Sequence, residues 1–159
     1  MENTAPRGKS PRLLVAMMIA VTSAITFAAL LIEDLNGFDD LDFSDLPWNL
    51  ITRYMITMAL GGAVAGFLLA GMFGRKSIGG WCLALLGGVL VTLLAGLLGS
   101  FFGWLPDYFS EGSTPSALVS ILAGALVPIF AFAGQILLFV MWLVLLAVTH
   151  VFAARARNA

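Results

Sequence analysis

The sequence predicts an all-α integral membrane protein, a bundle of four spanning helices, and three observations lead there. Hydrophobic residues make up 60% of the 159 and charged ones only 11%, against roughly 25% charged in soluble domains. Four long apolar runs recur along the chain, and the polar segments between them alternate in charge sign. The runs show no polar alternation of the kind a barrel strand needs, and lipid forbids spanning structures that leave backbone groups unpaired, so helices are expected.

Residues 1–12 read as a basic cytoplasmic segment carrying Arg7, Lys9 and Arg12. The first span, 13–32, is uninterrupted, and at about 1.5 Å per residue it covers the roughly 30 Å hydrocarbon layer. A cleaved signal peptide is the rival reading, but signal cores are usually about 7–15 residues long and end at a small-residue site. Here the run leads into Leu31, Ile32, Glu33 and Asp34, so a retained signal-anchor helix is expected.

The segment from Glu33 to Trp48 alternates acids (Asp34, Asp39, Asp40, Asp42, Asp45) with Leu35, Phe38, Leu41, Phe43 and Leu46. Such a composition suits an outer loop whose apolar groups dip into the membrane surface, with Pro47 starting the next helix. The acids lack the EF-hand spacing and its terminal glutamate, so a calcium site is not expected. A docking patch for a basic partner is the functional alternative to a solvated loop.

The second span, 49–74, and the third, 81–104, are joined by a short turn with Arg75 and Lys76, and Asp107 and Glu111 follow in a second outer loop. Arg155 and Arg157 close the chain in a tail, 153–159. Four crossings put the three basic clusters on one side, which the positive-inside rule makes the cytoplasm, with both termini there. One membrane domain, 13–152, is therefore expected, and its short loops suit a bacterial inner membrane.

The last apolar run, 117–152, would reach about 54 Å as one helix. Pro128 removes a donor and disfavours helix at Val127, with Gly124 and Gly134 nearby, so the preferred reading is a long, tilted fourth helix kinked near Pro128. A surface or re-entrant segment over 116–127 followed by a span is the second arrangement. Two full spans would carry Arg155 and Arg157 to the outside, against the charge rule.

Small residues at four-residue spacing make smooth helix faces that allow close approach in lipid. The second span has Gly62, Gly66, Ala70 and Gly74; the third has Ala84, Gly88, Thr92, Gly96 and Ser100; the first has Ala16, Ala20, Ala24 and Ala28. A tight hairpin of spans two and three is the simplest consequence, and a face left for a partner is the alternative. An echo between Gly61-Gly62 and Gly87-Gly88 slips by one residue further on, so it is weak support for a duplication.

Few side chains could carry chemistry. Arg53 sits near the outer end of its span and is expected to snorkel outward or pair with Glu33, Asp34 or Asp45. Gln135 is the most central amide, and its expected partners are Thr22, Ser23, Thr26 or Thr92, a symmetry-related copy, or a polar pathway. His150 is the only histidine and Cys82 the only cysteine; the histidine reads as interfacial, without companions for a metal or two-histidine haem site. No phosphate-binding loop, nucleophile-base-acid set or basic nucleic-acid patch is present in the sequence. The expectation is a noncatalytic protein without cofactor or metal, partnered by the lipid bilayer and by another membrane protein or itself. It would act as an accessory, assembly or scaffolding subunit; the alternative is a small homo-oligomeric channel or transporter.

Overall fold

The computed structural model describes residues 11–36, 46–112 and 116–158. Arg7, Lys9 and the acidic run Asp39, Asp40, Asp42 and Asp45 lie outside the described residues. Five helices make up nearly all of the rest: α1 (Arg12–Asn36), α2 (Trp48–Leu69), α3 (Ile78–Glu111), α4 (Ala117–Gly134) and α5 (Ile136–Asn158). A single 3₁₀ turn over Ala70–Met72 closes α2. All five are long and apolar enough to cross a membrane, which makes the chain a helical membrane protein.

Among the described residues the expected count of four helices is corrected to five. The run 117–152 is not one helix kinked at Pro128; α4 stays helical through that proline, and the break comes at Gln135, whose φ of −127° and ψ of 97° are extended. A proline costs its helix one donor, and neighbouring helices can accommodate the freed carbonyl. That carbonyl belongs to Gly124, which is held against Gly96 of α3. The third helix also outruns its expected span: α3 continues through Pro106 to Glu111, placing Asp107 on a helix and not in a loop. At 34 residues it is about 51 Å long.

Neighbouring helices run antiparallel. Gly62 lies against Ser23, and Gly66 against Ile19 and Ala16, which sets α2 antiparallel to α1. Gly61 meets Ala95 and Gly99, while Gly103 meets Tyr54, which sets α3 antiparallel to α2 and parallel to α1. On α5, Trp142 bonds Thr92 and Leu146 covers Gly88, so α5 descends beside α3.

These contacts change the expected hairpin. The small-residue ladder of α2 does not face that of α3: Gly62 and Gly66 receive α1, and Gly74 receives Ala153 of α5. On α3, Gly88 receives Leu146 of α5, and Gly96 and Ser100 receive Gly124 of α4. The α2–α3 contact is made through Met58 and Gly61 of α2 against Ala95 and Gly99 of α3. Between helices in lipid, dispersion and hydrogen bonds replace the hydrophobic drive, so backbone approach at these glycines holds the bundle. The best-buried side chains, including Val15, Ile19, Ala65, Phe73, Val91, Ala95, Trp142 and Leu146, form one cluster among α1, α2, α3 and α5.

Candidate functional site

The α4–α5 elbow at Gln135 ties the break between the two helices to α1. At Gln135 the backbone N–H still donates to the Ala131 carbonyl (2.8 Å), and the Gln135 carbonyl accepts from the Phe139 N–H (3.2 Å). The Gln135 side-chain amide donates to the carboxylate of Glu33, which lies in the last turn of α1. The partner of Gln135 is thus an acid at a helix end and not one of the threonines or Ser23 named from the sequence.

At its other end α4 begins beside Asp107. Ser116, Ala117 and Ser120 border a cleft of about 520 Å³ with Tyr54, Gly103 and Asp107. Because α1 and α3 are parallel, Glu33 and Asp107 mark the same end of the bundle, so α4 starts and finishes at that end. Its inward stripe is Ala117, Ile121, Gly124 and Pro128. Its outward face carries Leu118, Val119, Leu122, Leu126 and Phe130, the last 70% exposed.

Arg53 is drawn to α3: among the described residues its acid is Asp107 and not Glu33 or Asp34, and Asp45 lies outside the described residues. Its guanidinium donates to the Gly103 carbonyl and to Asp107 Oδ1, both at 2.7 Å. The two side chains are 41% and 54% exposed, a setting in which an ion pair contributes at most about 1 kcal/mol. Tilted ring contacts link Trp104 to Phe101 and to Tyr108, forming an aromatic band of the kind found at membrane surfaces.

The opposite end is tied by α5. His150 is buried, its Nδ1 accepting from the Gly74 N–H (3.2 Å) and its Nε2–H donating to the Arg75 carbonyl (3.1 Å). Those two bonds require the Nε2–H tautomer of a neutral ring. Trp81 packs on the imidazole with centroids 4.4 Å apart. Arg157 then donates to the Phe73 carbonyl (3.0 Å) and to the Ala70 carbonyl (3.3 Å), the latter also accepting from the Phe73 N–H that closes the 3₁₀ turn, so the arginine caps the end of α2. Gly74 has φ +83°, and a Cβ there would come within 2.7 Å of the Ala153 backbone, so a side chain is excluded twice over. His150, read from the sequence as interfacial, is a buried latch between α5 and the α2–α3 turn.

Midway between these ends, Thr92 donates to the Gly88 carbonyl (2.9 Å) and accepts from the Trp142 indole N–H (2.9 Å). Trp142 is also stacked on Phe139 and tilted against Phe132. Ala70 is buried and Ser100 is pressed against Gly124.

Among the described residues no three metal-ligating side chains converge, and Cys82 is exposed on α3. The polar pairs described above bind helices to one another. No protein-family profile, curated protein or solved structure matches the chain.

The sequence missed Glu33, Asp107, Trp142 and Arg157 as partners. The two acids and the arginine had an available signal, and Trp142 had none. An acid one turn before a helix end can reach an elbow, and a terminal arginine can cap a neighbouring helix as readily as it marks the cytoplasm.

Proposed function

We propose that this protein is a noncatalytic accessory, assembly or scaffolding subunit that works by packing against other proteins of the membrane. The observation that carries this reading is α4. It carries no charged residue and only Ser120 as a polar side chain, touches chiefly α3, has both ends at one end of the bundle, and turns Leu118, Leu122 and Phe130 outward. A helix so lightly used by its own chain is available as a docking element. The internal engagement of Gly62, Gly66, Gly88 and Gly96 shifts the partner face away from the small-residue ladders.

In this proposal α1, α2, α3 and α5 cross the bilayer and α4 lies within its outer half. The charge distribution supports that path: Arg12, Arg75, Lys76, Arg155 and Arg157 belong to the end held by His150, and Glu33, Asp34, Asp107 and Glu111 to the other. The basic end would face the cytoplasm, with both termini there, in a bacterial inner membrane. Purification of a tagged chain in mild detergent at native expression, with mass spectrometry and size analysis, tests the role. A stoichiometric foreign subunit is expected; recovery of self-copies alone would count against it.

The second reading is a small homo-oligomeric channel or transporter, and the Gln135–Glu33 pair at a helix break favours it. Broken helices with polar groups at the break are a common construction for solute and ion sites. This reading predicts flux in proteoliposomes that changes on Gln135→Leu, and silence across ions and small solutes would oppose it.

A further inference from the structure

A partly open pocket of about 30 Å³ lies between the helices, bordered by Thr22, Ser23 and Thr26 of α1, Thr92 of α3, and Pro128 and Trp142 beyond them. Thr26 is 6% exposed, and its hydroxyl is the one buried side-chain oxygen or nitrogen among the described residues without a protein partner. Elsewhere in this bundle threonine hydroxyls bond back to their own helix, Thr92 to the Gly88 carbonyl and Thr149 to the Leu145 carbonyl. Thr26 makes no such bond, although the same back-bonding geometry is open to any helical threonine. A buried hydroxyl without a partner costs about 1–3 kcal/mol, so the retained geometry calls for a ligand with donors and acceptors of its own.

We propose that this cavity is an internal hydration site holding one or two water molecules, with the Thr26 hydroxyl as its principal ligand and Thr22 and Ser23 as further ones. Size sets the scale: one water needs about 10–15 Å³ measured in this way, so the space suits one or two. Charge sets the chemistry. The polar groups lining the cavity are neutral hydroxyls and an indole whose N–H is already given to Thr92, and no carboxylate lines it to offset a cation. Water matches that set, since each hydroxyl can both donate and accept. The i, i+4 spacing of Thr22 and Thr26 puts both on one helix face about 5–6 Å apart at Cβ, a distance one water can bridge. The bound water would join α1 to the region of Pro128 and Trp142 without a direct side-chain bond between them.

Met58 and Trp142 both border the cavity, and both are readily oxidised, so X-ray radiolysis in ¹⁸O-water reads the site directly. In the intact protein in lipid nanodiscs, Met58 and Trp142 are expected to take up ¹⁸O several-fold faster than Met141, which neighbours Trp142 but does not border the cavity. Thr26→Val, close to the same shape, should reduce labelling of Met58 and Trp142 several-fold and leave Met141 unchanged. Labelling of Met58 and Trp142 in the wild type no faster than that of Met141 would overturn the proposal, as would labelling that Thr26→Val leaves intact. Should Thr26→Val fail to fold, Ser23→Ala serves in its place, and the wild-type comparison decides by itself.

Discussion

Gly61→Ala adds one methyl group at the place where α2 and α3 come closest. The new Cβ would stand 2.6 Å from the Ala95 carbonyl oxygen and 2.7 Å from the Gly99 nitrogen, both backbone atoms that cannot rotate away. Reaching an ordinary contact of 3.4 Å requires the two helices to separate by about 0.8 Å. A gap of about 0.5–1 Å forfeits a quarter to a half of each dispersion well along the seam, and in lipid that dispersion is a main source of helix association. Overpacking costs about 1–3 kcal/mol, and the better helix propensity of alanine returns up to about 1 kcal/mol. The expected net loss is about 1–2 kcal/mol, a factor of roughly 5–30 in the folding equilibrium. Gly71→Ala is the matched control, because nothing lies within 4 Å of its added Cβ. Equilibrium unfolding in mixed micelles reads both variants. Gly61→Ala as stable as the wild type, with Gly71→Ala also neutral, would refute the view that backbone approach at Gly61 and Gly99 holds this pair.

His150→Phe removes both bonds to the α2–α3 turn, and trypsin should then cut after Arg75 or Lys76 markedly faster than in the wild type; unchanged cleavage would deny the latch. Trp142→Phe keeps the ring stack and deletes the indole bond to Thr92, and micelle unfolding should show a loss near the ~0.6 kcal/mol average for inter-helix bonds in membranes. A double-mutant cycle on Arg53→Gln and Asp107→Asn should give a coupling below about 1 kcal/mol that shrinks further in high salt, as befits an exposed pair.

Composition and run length were enough to read the helical membrane class, because no soluble core needs so many apolar residues and so few charges. The ladders of small residues were legible as close-packing faces, but their partners were not. A four-residue spacing specifies one smooth stripe, and α2 carries a second pair of approaches one residue away at Gly61 and Ala65. Which stripe meets which helix depends on the three-dimensional order of the bundle. The break at Gln135 was hidden for a similar reason: Pro128 is the stronger local signal, yet α3 accommodates its freed carbonyl at Gly96. Gln135, with no helix-breaking character of its own, is turned out of the helix next to Gly134 and held by Glu33. His150 lacked any sequence neighbour to reveal its role, since both of its bonds go to backbone atoms more than seventy residues away.

The account rests above all on α4 as a docking element. A photo-reactive benzoylphenylalanine placed at Leu122 or at Phe130 and activated in native membranes tests it most directly. The account predicts one foreign membrane protein joined in high yield from both positions, and none from Val144 on α5. Adducts of lipid alone, or of this chain with itself, from every position would contradict it.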